Sequence, residues 1–167
     1  YSKYEQQKIK EAIVFSCQKL ANLENSNKPV LLHAISVGTR LYSNNYQVQI
    51  VIAGYLHDII EDTHITKRQI EKKFGREVSE IVLANTKNTN IKERSERHRE
   101  LIKRCLSHSE KAAIVKAADI LDNYTYYTNL ADQYGINYCL DNIQLFKRYM
   151  QERYTDRIFT EMFTIIK

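Results

Sequence analysis

The chain has 167 residues, 43% apolar and 27% charged, with a net charge of +5 and a pI near 9.0. That length suits one domain burying roughly 70% of its unfolded surface, so no disulfide or metal is needed merely to fold. One proline, four glycines and no long apolar run argue against a turn-rich sandwich and against a helix of about 20 residues crossing a membrane.

Cys17, Cys105 and Cys139 lack CxxC spacing and read as reduced thiols, and Tyr1 to Lys10 carry no signal-peptide pattern. A cytoplasmic location is expected. The basic residues are spread along the chain. In the densest run, Lys92 to Arg104, they alternate with Glu93, Glu96 and Glu100, as on a solvated helix face with i,i+4 pairs.

In chain order, Ile9, Ala12, Ile13, Phe15, Ser16, Leu20 and Leu23 fall mostly at helical spacing across residues of about 3 to 22. A polar loop with Asn25, Ser26, Asn27 and Pro29 follows, then a helix from about Leu32 or His33. Residues 47 to 61 are rich in β-branched side chains. Yet Val48, Val51, Ile52, Tyr55, Leu56, Ile59 and Ile60 fall on one helical stripe. Thr66 with Gln69 forms a capping box for a short helix that Gly75 ends, and Val78, Ile81 and Val82 mark the next. A charged helix is expected over 91 to 106, and Ser109 caps one carrying Ile114, Ala117, Ala118 and Leu121. Gly135 and Asn137 should break the chain before one or two closing helices over 138 to 166. The expected fold is all-α, in one domain spanning residues 1 to 167.

The chemistry concentrates in His57-Asp58-Ile59-Ile60-Glu61-Asp62. On a helix, His57 lies one turn from Glu61 and Asp58 one turn from Asp62. Three carboxylates beside an apolar stripe repel one another and are costly to desolvate unless a cation neutralises them. A divalent metal answers both problems, since imidazole and carboxylate both suit such an ion. Alone, an HD dipeptide is weak, and a core histidine with a solvated helix end explains it equally well. Support comes from His33, which opens an earlier helix, and from Asp119, paired at i,i+4 with Asn123 in Lys116-Ala-Ala-Asp119-Ile-Leu-Asp-Asn123.

The order His … His-Asp … Asp on three separate helices resembles the HD phosphohydrolase superfamily. Within it, Glu61-Asp62-Thr63, Thr66, Ile70, Phe74-Gly75, Val78, Ile81-Val82 and Thr86-Lys87 are similar to the hydrolase domain of RelA/SpoT-type alarmone enzymes and their small stand-alone relatives. The resemblance implies a helical bundle around a central metal, with His33, His57, Asp58 and Asp119 as ligands and manganese as the usual ion. It makes Glu61 and Asp62 the catalytic carboxylates that orient or deprotonate water, and Asn123 a contact to ribose or phosphate. The implied activity is removal of the 3′-pyrophosphate of guanosine tetra- or pentaphosphate in the stringent response. A nucleotide substrate follows, no membrane is involved, and a homo-oligomer is left open.

Two places depart from that pattern. Glu24 stands where the family's arginine packs on guanine, with Lys28 as a nearby cation that could compensate in substrate binding. After Asp119, Ile120 and Asp122 replace basic and aromatic positions, and Thr125 replaces an arginine. These departures keep open an HD nucleotidase acting on 5′-mononucleotides or NADPH, and a non-catalytic nucleotide-binding regulator. Nucleic-acid binding fits worst, because it leaves the His/Asp arrangement without a role. His64 and His98 read as solvent-facing and His108 as a turn residue. Tyr124, Tyr126, Tyr127, Tyr134 and Tyr138 read as core at helical spacing, with one of them a candidate to stack on a base.

Overall fold

The computed structural model describes residues 1–21, 23 and 29–166, and among these every regular element is an α-helix. In chain order they are α1 (Lys3–Leu20), α2 (Val30–Ser43), α3 (Val48–Leu56), α4 (Ile59–Asp62), α5 (Lys67–Phe74), α6 (Arg76–Asn85), α7 (Arg94–His108), α8 (Glu110–Asn129), α9 (Gln133–Tyr149) and α10 (Arg157–Thr164). No described helix is long and apolar enough to cross a membrane.

Two helices form the interior. In α3 every residue from Ile50 to Leu56 is buried, and in α8 every residue from Ala112 to Leu121. A helix buried all round must be enclosed by others, and α8 is packed by α2, α3, α6, α7, α9 and α10. Its alanines, Ala112, Ala113, Ala117 and Ala118, let those neighbours come close. The expected caps are present: Thr66 and Gln69 bond reciprocally, and the Ser109 hydroxyl accepts from the Ala112 N–H. Gly75 ends α5 with a φ of 92°.

The crossing of α2 and α3 sets the geometry of the site. A Cβ on Gly54 would lie 2.5 Å from a Leu41 methyl and 3.3 Å from the Gly38 Cα, and one on Gly38 would lie 2.3 Å from the Tyr55 ring. Only glycine permits this approach. It brings His33, near the start of α2, against His57, just past the end of α3.

The structure corrects the sequence reading at several points. The stripe over 47 to 61 is not one helix, because the chain turns at His57 and Asp58 between α3 and α4. The buried His57 ring takes the Gly54 carbonyl at 2.9 Å, and the N–H groups of Glu61 and Asp62 both bond to the Asp58 carbonyl at 3.0 Å. Gly135 and Asn137 do not break the chain but lie inside α9. The break falls at Leu130–Asp132, where Ala131 adopts a φ of 52°. Gly135 is needed for close approach instead, since a Cβ there would meet the Tyr127 ring at 2.2 Å.

His98 is not solvent-facing. It is 8% exposed, with its Nε2 3.1 Å from the Tyr138 hydroxyl. The tyrosines read as core are not core either: Tyr134 is 69% exposed and Tyr124, Tyr126, Tyr127 and Tyr138 are half-buried. The reason is that α8 leaves the packed interior after Leu121, and α9 presents Tyr134 and Tyr138 toward α7.

Candidate metal centre

Four side chains from α2, the α3–α4 turn and α8 converge. His33 Nε2 lies 3.2 Å from His57 Nε2, 3.0 Å from Asp119 Oδ1 and 3.7 Å from Asp58 Oδ2. His57 Nε2 lies 3.1 Å from Asp58 Oδ2 and 3.8 Å from Asp119 Oδ1. His33, His57 and Asp58 form the tightest trio, with donor atoms all within 4.8 Å of one another, and Asp119 closes the histidine side.

The outer nitrogens decide what this cluster holds. His57 Nδ1 faces the Gly54 carbonyl, and His33 Nδ1 faces Asp122 Oδ2 at 2.6 Å. Both partners are acceptors, so each Nδ1 carries a proton and each Nε2 is the nitrogen turned to the cluster, offering a lone pair to a cation that displaces any proton there. Two imidazole nitrogens and two carboxylate oxygens then face one point, an array that needs positive charge, a proton or a metal, at its centre. Donors bound at roughly 2.1 Å to a divalent ion stand about 3.0 Å apart at right angles and about 3.4 Å apart in a tetrahedron. Three of the five observed separations, 3.0 to 3.2 Å, fall in that spacing, and those at 3.7 and 3.8 Å lie a few tenths of an ångström beyond it. The residues fit a divalent metal.

The electrostatics agree. Burial alone would depress the His57 imidazolium, yet the Asp58 and Asp119 carboxylates push its pKa up to about 9. Burial opposes ionisation of Asp58, and His57 with His33 more than offsets it, so the carboxyl stays below the usual range. Asp119 is likewise held well below the usual range against its burial, chiefly by Lys116. A site that draws protons this strongly draws a divalent cation by the same field.

Around the cluster, both oxygens of Asp119 have partners. Lys116 Nζ donates to its Oδ2 at 2.7 Å, and Asn123 Nδ2 donates to its Oδ1 at 2.5 Å. Glu61 accepts from the Lys87 backbone N–H at 2.5 Å and from Lys87 Nζ at 2.7 Å. Arg104 holds the same loop by donating to the carbonyls of Leu83, Ala84 and Thr86 at the end of α6. Asp62 stands at the exposed mouth, where partial burial and the charges of Asp58 and Glu61 raise its pKa to about 6.

Asp58, Glu61, Asp62, Lys87, Arg97, Lys116, Asn123 and Tyr127 line one pocket of about 420 Å³. The buried Arg97 Nε has no hydrogen-bond partner among the described residues, an N–H left for a ligand oxygen.

The structure thus brings together His33, His57, Asp58, Asp119, Glu61, Asp62 and Asn123. Lys28 and Glu24 lie outside the described residues. Thr125 is exposed on α8, and its hydroxyl donates to the Leu121 carbonyl. Sequence reasoning missed Asp122 and the buried pair of Lys116 and Asp119. A lysine among alanines in an apolar run signals a buried partner three or four residues on, and Asp122 shares the helix face of Asp119.

A cluster of two histidines and two aspartates at the centre of a helical bundle fits a divalent metal. A family model described as HD domain matches residues 12–138. The chain belongs to the HD-domain family.

Among relatives, the guanosine-3′,5′-bis(diphosphate) 3′-pyrophosphohydrolase of Aquifex aeolicus is 31% identical over 120 residues, 70% of this chain and 17% of that protein. A second, MESH1 of Danio rerio, is 31% identical over 119 residues, 68% of this chain and 65% of that protein. The chain spans about a sixth of the length of the long curated relatives it matches. The solved structure of a metazoan ortholog of SpoT that hydrolyses ppGpp superposes with a TM-score of 0.71 at 24% identity, over 95% of each chain. That likeness carries the fold.

Proposed function

We propose that residues 1–167 form a hydrolase domain that removes the 3′-pyrophosphate from guanosine tetra- or pentaphosphate, with a divalent ion, manganese first, held by His33, His57, Asp58 and Asp119. The observation that carries this is the convergence of both histidine lone pairs with two carboxylates beside the Asp62 carboxylate. The names of the relatives from Aquifex aeolicus and Danio rerio support the substrate. A bound ion supplies Lewis acidity and neutralises phosphate charge.

The chain's own residues do the rest. Asp62 takes the proton of the attacking water, and a carboxyl held near neutrality suits that transfer. Glu61 has both oxygens on Lys87, so it positions the loop that carries this cation. Lys87 and the unpartnered Arg97 Nε meet the pyrophosphate oxygens. Asn123 holds Asp119 in place and lies within reach of the nucleotide. The work falls in the cytoplasm, where the nucleotide pool is.

The exposed Thr125, which brings no cation to the pocket edge, favours a second reading: an HD nucleotidase with a different nucleotide preference. The test is a hydrolysis screen of guanosine tetraphosphate, NADPH and 5′-mononucleotides with manganese. Pyrophosphate release from the tetraphosphate, abolished by Asp62→Asn, is the expected result. Faster phosphate release from another nucleotide selects the second reading. Tight nucleotide binding without turnover selects a regulator.

A further inference from the structure

A second cleft, of about 760 Å³, runs between α7 and α9, behind a wall formed by Arg94, His98 and Tyr138, and no carboxylate of the metal centre lines it. Rings and cations alternate along its surface. At one end the Arg94 guanidinium lies 5.2 Å from the Tyr138 ring centre and 5.5 Å from that of Tyr134, and donates to the Tyr134 hydroxyl at 2.5 Å. Toward the other end, Lys103 Nζ lies 4.5 Å from the Tyr149 ring centre, and the Arg148 guanidinium lies 5.6 Å from the same ring. Exposed Arg99 stands between the two groups, one turn of α7 before Lys103. From Arg94 to Lys103 the helix advances about 14 Å, the span of a few nucleotides.

Carboxylates do not consume these cations. Glu100 pairs with Arg104, and Glu93 caps α7 by accepting from the N–H groups of Ser95 and Glu96. Among the described residues Arg94, Arg99, Lys103 and Arg148 make no ion pair, and Asp141 is the one other carboxylate on the cleft. Lys103 and Arg148 thus hold two like charges at one ring with no carboxylate paired to either, which leaves them open to an anion. Cations alone suit any polyanion. Tyrosines interleaved with them add faces on which unpaired bases stack, while backbone phosphates meet the charges. A duplex keeps its base faces covered and gains nothing from those rings. Asn137 and Gln144, also on the cleft, carry amides that can bond a ribose 2′-hydroxyl.

We propose that the α7–α9 cleft docks a short stretch of single-stranded RNA, with its phosphates on Arg94, Arg99, Lys103 and Arg148 and a base stacked on Tyr134. The metal centre keeps its own chemistry on the far side of the wall. This docking surface is a second function, and it stands whether or not the nucleotide hydrolysis above does.

The test follows the fluorescence anisotropy of a labelled RNA octamer of unpaired sequence with manganese-loaded protein, and competes it with inorganic polyphosphate, a chain with charge and no bases. The variants are Tyr134→Ala, Tyr134→Phe and Arg148→Ala, exposed side chains that line the cleft and not the metal pocket. Tyr134→Ala should weaken the octamer about tenfold and leave polyphosphate within about twofold, since loss of one stacked base is of that order. Tyr134→Phe, which keeps the ring, should bind the octamer within about twofold of the wild type. Arg148→Ala should weaken both chains and flatten the dependence of log affinity on log salt by about 0.7, the share of one phosphate. No anisotropy change up to about 100 μM protein overturns the proposal, as does wild-type RNA affinity in Tyr134→Ala and Arg148→Ala. Equal weakening of RNA and polyphosphate by Tyr134→Ala also overturns it, in favour of an acidic partner without bases. A duplex or a DNA octamer bound as tightly as the RNA refutes the choice of single-stranded RNA.

Discussion

Replacing Asp122 by asparagine keeps the shape of the side chain and removes its charge. The carboxylate sits 2.6 Å from His33 Nδ1, only 16% exposed, and its other oxygen accepts from the Ser36 hydroxyl. An asparagine can turn its single oxygen to the His33 N–H, because the serine hydroxyl rotates to accept from the new amide. The hydrogen bond survives and the negative charge does not. His33 then keeps its tautomer but becomes a poorer electron donor at Nε2. Loss of such an outer partner typically costs 10- to 100-fold in metal affinity, about 1.4 to 2.7 kcal/mol. Asp122→Ala removes the orienting bond as well and should fall at or beyond the upper end.

Equilibrium dialysis against manganese at pH 7.5 measures the affinity directly, with circular dichroism in chelator checking that each variant folds. Wild-type affinity in Asp122→Asn, alongside a clear loss in Asp58→Ala, would refute the argument that this charge acts through His33.

Other outcomes follow from the same geometry. Asp58→Ala should lose metal and hydrolysis together, and full activity in that variant would remove the ligand assignment. Because a general base must be ionised, kcat should fall as pH drops through about 6 or somewhat lower, since a bound cation lowers the Asp62 pKa; the same acid limb in Asp62→Asn would assign the base elsewhere. His98 is held neutral, its pKa lowered to about 4 by burial and by Lys116 and Lys87. Its unfolded-state pKa is near 6.5, so stability is full above that and drops as pH falls toward 4. After allowance for partial solvent screening the loss is about 1 to 2 kcal/mol, read by urea melts at pH 7 and pH 4.5 and reduced in His98→Gln. Gly54→Ala forces α2 from α3 and should cost about 1 to 3 kcal/mol with weakened metal binding, measurable as a melting shift of several degrees.

The sequence-level reading reached furthest where a property repeats along the chain. Helical spacing identified buried positions of α1, α6 and α8, and the capping box at Thr66 needed only two residues three positions apart. The cluster of His33, His57, Asp58 and Asp119 was legible because three separated segments each offered residue types that suit one ion. The reading failed where the deciding partner comes from elsewhere in the fold. His57 breaks a helix that periodicity favours, because its ring takes the Gly54 carbonyl. Gly135 serves the Tyr127 ring, not a turn. Nothing near Glu61 in the chain signals Lys87, 26 residues on, as the residue that occupies both its oxygens.

The four proposed ligands lie at positions 33, 57, 58 and 119, so an ion among them would tie together chain segments that drift apart on unfolding. It acts as a reversible cross-link, stabilising the folded state in proportion to how far its concentration exceeds the dissociation constant, about 2.7 kcal/mol at a hundredfold excess. A cell starved of the ion would hold a less stable protein as well as an idle one, and proteolysis would lower its amount. Metal supply would then set both how much of this protein is present and how much of it works.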